Sequence, residues 1–156
     1  MTNRKVLVLM IVLLMGALVT GCSSFVKNTY STIDTVRISV DTAMKVSADL
    51  YDRGIIGDEE KGKILEIHAK YKAIHMSTCE FLKMYKNLSD KEQQEGIKLK
   101  IEDAVQALLA LSIELTDIVS DYLSRDATGL LIEEYGGRLA REFARNQAFA
   151  ERMLLM

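Results

Sequence analysis

Apolar residues recur along this chain at alternating steps of three and four, the spacing that places them on one side of an α-helix. The pattern first predicts a helix from Ser31 to Arg53. Its apolar stripe consists of Ile33, Val36, Val40, Ala43, Ser47 and Leu50. Gly54 follows it and suits the left-handed conformation that ends many helices, with Ile55 expected to pack back on Leu50.

Two further helices are predicted by the same pattern. The second begins at Asp58, interpreted as its N-cap, and ends at Asn87, interpreted as a left-handed stop. Its stripe is Ile64, Ile67, Tyr71, Ile74, Thr78, Phe81 and Tyr85. The third opens with a capping box formed by Ser89 and Glu92. Its main stripe is Ile97, Ile101, Ala104, Leu108, Leu111, Leu115, Ile118 and Tyr122, beside a second line of Val105, Leu109 and Ile113.

A fourth, weaker helix follows a break after Ser124, because Gly136 and Gly137 lie in its middle. Its apolar side consists of Leu131, Tyr135, Leu139, Phe143, Ala150 and Met153. The chain has no proline, and the predicted connections are short, so successive helices should be antiparallel. We therefore expect an all-α fold over residues 31–156: an antiparallel up-down bundle of three long helices plus a shorter C-terminal amphipathic helix. That last helix either completes the bundle or forms an arm lying on a membrane or partner.

The first 22 residues have a different pattern. Arg4 and Lys5 precede an uncharged apolar run of 14 residues, Val6 to Val19. As a helix this run covers ~21 Å, which is short of the ~30 Å hydrocarbon core of a bilayer. The residues Val19, Thr20, Gly21 and Cys22 then follow as one aliphatic, two small and a cysteine. This arrangement resembles the signal peptide and lipobox of bacterial lipoprotein precursors.

The resemblance implies a covalent modification and a location. Cys22 would carry a diacylglycerol on its sulfur and, after cleavage behind Gly21, an acyl chain on its new amino group, with no other cofactor expected. Residues 1–21 would be the signal peptide, and residues 22–30 the lipidated cysteine and a short tether. Enterobacterial-type lipoproteins that stay at the inner membrane have Asp after the modified cysteine, whereas this chain has Ser23. The resemblance therefore favours the outer membrane, facing the periplasm. An uncleaved signal anchor is the alternative.

Composition limits the remaining choices. Without residues 1–21 the chain has 135 residues and a net charge of −4, so neither nucleic acid nor an anionic lipid surface is an expected partner. Cys79 is the one other cysteine, so a lipidated Cys22 leaves it no intramolecular disulfide partner. We expect it to be buried.

Candidate chemistry centres on the second helix, where His68, His75 and Cys79 share one side at spacings of seven and four. An i, i+4 His–Cys pair supplies half of a tetrahedral zinc site, but the sequence indicates no further ligands. A structural role for these residues is therefore favoured over a metal site. No nucleophile motif, phosphate-binding glycine loop or facing pair of acids is present, so we do not expect an enzyme.

The predicted function is a membrane-anchored, periplasm-facing structural or protein-interaction module. Its partners would be the lipid bilayer, through Cys22, and an envelope protein or a second copy of itself. One alternative is a small-ligand or metal-binding bundle that uses the His68, His75 and Cys79 face. Another is a phage-related envelope, lysis or exclusion lipoprotein.

Overall fold

Three long helices dominate the computed structural model, which describes residues 2–125, 132–141 and 144–145, with side chains from Phe25 onward. They are α1 (Thr2–Asp52), α2 (Asp58–Asn87) and α3 (Lys91–Leu123). A π-helical segment, Ile132–Gly136, continues into α-helix over 137–141. The described residues contain no strand, which confirms the predicted all-α class. Two compact units divide the chain, Met1–Ser31 and Thr32–Met156.

Helix α1 begins earlier than the pattern predicted. The expected start was Ser31, yet the helix is continuous through residues 22–30, which were expected to form a tether. Neither glycine nor proline occurs between Cys22 and Arg53, so nothing in that stretch breaks a helix. Within the first unit, Thr29 Oγ1 donates to the carbonyl oxygen of Phe25 at 2.9 Å.

The end of α1 forms as predicted. Gly54 has a φ of +70°, its N–H donates to the Tyr51 carbonyl at 2.9 Å, and the Ile55 N–H donates to the Leu50 carbonyl at 2.9 Å. These two bonds define a Schellman motif, which uses carbonyls that the helix end would otherwise leave unpaired. Ile55, which was predicted to pack on Leu50, is half-buried, and the next residue, Ile56, is buried.

The other helix ends differ from the sequence predictions by one residue. Gly57, not Asp58, is the N-cap of α2, and its N–H donates to Glu60 Oε2 at 3.0 Å. Asp90, not Ser89, caps α3, accepting from the N–H groups of Glu92 and Gln93. Asn87 is not left-handed: it is the last residue of α2, and the backbone of Leu88 is extended.

Side-chain contacts fix the directions of the helices. Tyr51 near the end of α1 donates to Asp58 at the start of α2. At the other end of α2, the Gln94 amide of α3 donates to the Tyr85 carbonyl, and Lys100 lies over the Phe81 ring. Both pairs of helices are therefore antiparallel.

The C-terminal segment contacts α1. The Tyr135 hydroxyl donates to Asp49 Oδ2 at 2.8 Å, and this bond to a carboxylate raises the pKa of Tyr135 to about 12. Leu139, also on the predicted apolar side, is buried. The predicted members Leu131, Phe143, Ala150 and Met153 lie outside the described residues.

The buried faces confirm the predicted stripe of α1 but correct that of α3. Every predicted α1 position is buried. On α3, three of the eight predicted main-stripe residues, Ile101, Leu108 and Leu115, are buried, and the other five are half-buried. The buried row advances by three and four residues through Ile101, Val105, Leu108, Ser112, Leu115 and Val119. The prediction was therefore right in part, and it missed the positions of Ser112 and Thr116 because these hydrophilic residues face the interior.

Three buried threonines bond to the backbone of their own helix. Thr116 Oγ1 donates to the Ser112 carbonyl at 2.7 Å, and Thr42 and Thr78 bond to carbonyls four residues earlier in the same way. A buried hydroxyl that bonds its own helix avoids the cost of an unpaired polar group. The interior therefore tolerates hydroxyls where the sequence pattern favoured aliphatic side chains.

The left-handed residue after α1 provides a test of the chain reversal. Gly54→Ala should lower the free energy of unfolding by about 1 kcal/mol, because a Cβ disfavours positive φ. A Cβ at Gly54 would contact no neighbour, so the cost is conformational. Gly96→Ala within α3 is the matched control: its Cβ also meets nothing, and there alanine should stabilise by about 0.5–1 kcal/mol. Urea unfolding followed by circular dichroism measures both, and equal effects would contradict the assignment.

Candidate functional site

A half-open groove of about 220 Å³ lies between the end of α1 and the start of α2. Its rim carries the Lys61 ammonium 3.6 Å from the centre of the Tyr51 ring, a cation–π contact. The Tyr51 hydroxyl donates to Asp58 Oδ1 at 2.9 Å, which fixes this ring at the edge of the groove. The lining is mainly apolar: Met44, Ser47, Ala48, Tyr51, Asp52, Ile56, Lys61, Ile64 and Leu65.

The size of this groove favours one kind of occupant over another. Pockets for small-molecule ligands usually enclose ~300–1,000 Å³ and bury most of the ligand. At about 220 Å³ and open on one side, this groove is below that range. It can accept a group of side-chain size, such as an apolar residue of a partner protein. The sequence did not indicate it, because it depends on how two helices meet.

The two histidines flank one buried aromatic ring. The Tyr71 ring centre lies 6.5 Å from that of His68, with nearly parallel planes, and 5.7 Å from that of His75. Tyr71 is buried, whereas both imidazoles are half-buried. The helix therefore holds the histidines one on each side of Tyr71, where they pack against its ring.

Cys79 completes the predicted face as a half-buried free thiol. Within the described ranges, no group of three or more His, Cys, Asp and Glu residues lies close enough to hold a metal ion. The structure thus places His68 and His75 together around Tyr71, with Cys79 one turn beyond His75, but it brings no additional ligand to them.

The environment of the Tyr71 hydroxyl determines its protonation state. Its hydroxyl is buried and has no hydrogen-bond partner among the described residues. Burial raises the pKa of Tyr71 to about 12, because the phenolate would lose its hydration, and the nearby carboxylate of Asp41 acts in the same direction. The phenol is therefore kept neutral, and it cannot act as a base near neutral pH.

Arg37 on α1 lies in the electrostatic surroundings of Tyr71. Its guanidinium bonds Asp34 at 2.9 Å and Asp41 at 3.0 Å, and the hydrogen bond to Asp34 is the main cause of its raised pKa. All three side chains are exposed, so this network contributes little to stability. It places one cation and two carboxylates, a net charge of −1, beside the Tyr71 face.

The predicted lipidation residue Cys22 and the cleavage residue Gly21 belong to α1, and their side chains lie outside the described residues. Among the residues whose side chains the structure describes, which begin at Phe25 and so exclude the apolar run Val6–Val19, no helix is both long and apolar enough to cross a bilayer. Comparison with known proteins adds no relative: no family model, curated protein or solved structure matches this chain.

The unpaired hydroxyl gives a pH-dependent prediction. The folded-state pKa of Tyr71 is raised from 10 to about 12, so the folded state favours the neutral phenol. The contribution of this preference to the free energy of unfolding is complete below pH 10. It should be lost as pH rises from 10 to 12, by an amount on the order of 2 kcal/mol. Tyr71→Phe should remove this part of the alkaline loss. At neutral pH it should raise the free energy of unfolding by about 1 kcal/mol, since an unsatisfied group disappears.

Urea unfolding at pH 7 and pH 11 measures both effects. Tyr122→Phe, at a half-buried ring on α3, is the control and should keep the wild-type alkaline loss. A marked loss of stability in Tyr71→Phe at pH 7 would show that the hydroxyl has a partner after all.

Proposed function

We propose that this protein is a lipid-anchored lipoprotein of the cell envelope that faces the periplasm and works as a structural or protein-interaction module. The observation that carries the proposal is the sequence Val19-Thr20-Gly21-Cys22 directly after a 14-residue apolar run. Cleavage behind Gly21 would leave Cys22 as the first residue of the helix. Ser23, beside the modified cysteine, favours the outer membrane over the inner membrane.

The acyl chains explain how such a protein stays on a membrane. One chain gives only marginal binding, whereas each additional buried CH₂ adds about 0.8 kcal/mol, so two or three chains hold a protein stably. Anchoring also confines the protein to two dimensions and raises its effective concentration toward partners on the same membrane. An exposed helical surface of modest affinity is then sufficient for function.

For the anchored domain we propose an up-down bundle of α1, α2, α3 and a shorter C-terminal helix. The antiparallel contacts of α1 with α2 and of α2 with α3 support this arrangement. The bond from Tyr135 to Asp49 supports a C-terminal segment that packs against α1. A helical bundle with a groove of side-chain size suits protein recognition better than ligand storage.

The anchor is tested by metabolic labelling of the full chain with a clickable fatty acid. The wild-type protein should take up the label and fractionate with membranes. Cys22→Ser should lose the label, because no sulfur remains to accept the diacylglycerol. Cys79→Ser is the matched control and should keep it, since the half-buried thiol is not the acceptor.

Each outcome of this experiment decides the proposal. An unlabelled wild-type protein would overturn it, whether the protein is soluble or retained by an uncleaved signal anchor. In-cell crosslinking of the wild type and Cys22→Ser then tests the interaction role: partners of the anchored protein should be lost, or reduced about tenfold, without the anchor.

A further inference from the structure

The outer surface of α2 carries an exposed apolar and basic face. Its members, spaced along one side of the helix, are Leu65, Ala69, Lys72, Met76 and Lys83. Leu65 is 48% exposed and Met76 is 64% exposed. Glu80 is the one acid next to this face.

The two lysines of the α2 face differ from their neighbours. Lys63 and Lys70 form ion pairs with Glu59 and Glu66, one turn earlier. Lys72 and Lys83 have no such partner among the residues that the structure describes. The face therefore presents two uncompensated positive charges beside exposed apolar side chains.

The outer surface of α3 has the opposite charge. Its members are Leu99, Asp103, Gln106, Ala110, Glu114 and Asp117, all exposed. Leu99 is 57% exposed. The face contains no basic residue. The nearby Lys98 pairs with Glu95, and Lys100 lies over the Phe81 ring. Within the described part of the chain these three acids form no ion pair at contact distance, although Glu114 interacts electrostatically with Lys70 of α2.

The spacing of the charges matches between the two faces. Lys72 and Lys83 are eleven residues apart, and so are Asp103 and Glu114, a separation of about 16 Å along a helix. An antiparallel alignment places Lys72 opposite Glu114 and Lys83 opposite Asp103. The same alignment places Met76 opposite Ala110, and Glu80 opposite the uncharged Gln106. No like charges meet in it.

We propose that the α2 face of one copy packs antiparallel against the α3 face of a second copy of this chain. The two faces differ, so the contact is head-to-tail. Each copy has one α2 face and one α3 face, and each face can bind a different neighbour. The proposed membrane anchor, on which this step partly rests, would concentrate the copies on one membrane. Because α2 and α3 are antiparallel within one chain, two copies that lie side by side in the same orientation bring α2 of one and α3 of the other together in the antiparallel sense.

Charge reversal on full-length, membrane-inserted chains tests the contact. Two differently tagged copies are co-expressed, crosslinked in cells and isolated through one tag. Lys72→Glu with Lys83→Glu in both copies should lower recovery of the second tag about tenfold, equivalent to about 1.4 kcal/mol. Asp103→Lys with Glu114→Lys in both copies should do the same. One copy of each variant should restore recovery to within about twofold of the wild type.

Restored recovery in the mixed pair also shows that both variants are folded. Lys45→Glu with Lys91→Glu, at exposed positions outside both faces, is the matched control and should leave recovery unchanged. Wild-type recovery in either reversed pair, or no rescue in the mixture, would overturn the proposal. If fatty-acid labelling fails while the charge-reversal results are as expected, only the proposed anchor is overturned. The two proposals can therefore fail separately.

Discussion

The reversal of the chain at Gly54 is the constraint on which the α1–α2 face depends. The Schellman bonds to Tyr51 and Leu50 fix where α1 stops, and α2 begins at Asp58, four residues after Gly54. This sets which side of α2 turns toward α1. A shift of one residue would rotate α2 by about 100° and exchange Tyr71 in the interior for Lys70 or Lys72. The groove beside Tyr51 and Lys61 exists only in the observed register.

The interior is then completed by hydroxyls that need no partner from another helix. Thr42, Thr78 and Thr116 each bond a carbonyl four residues earlier, a geometry that a short β-hydroxyl reaches easily. The Tyr71 hydroxyl stands at the far side of a ring and cannot bend back to its own backbone. This difference in reach explains why the one buried side-chain polar atom without a partner, among the described residues, belongs to a tyrosine.

The sequence predicted the helices well where one signal dominated. The α1 stripe is correct because its aliphatic positions leave a single possible face, and Gly54 is correct because a residue without a Cβ suits positive φ best. The α3 stripe was partly displaced because Ser112 and Thr116, which are hydrophilic, are buried at positions where the pattern favoured aliphatic residues. Both N-caps were displaced by one residue, since Asp58 and Ser89 are good cap types that adjoin the residues actually used.

The candidate site was less accessible to sequence reasoning, because it depends on distances between helices. The spacing of His68, His75 and Cys79 correctly placed them on one side of α2, but it could not show that Tyr71 occupies the space between the histidines. The α2 and α3 outer faces raise a related point. Leu65, Met76 and Leu99 each leave about half or more of their surface in solvent, and solvent-exposed charge pairs are individually weak. Such surfaces associate usefully only where copies are concentrated, which is the condition that a lipid on Cys22 would create.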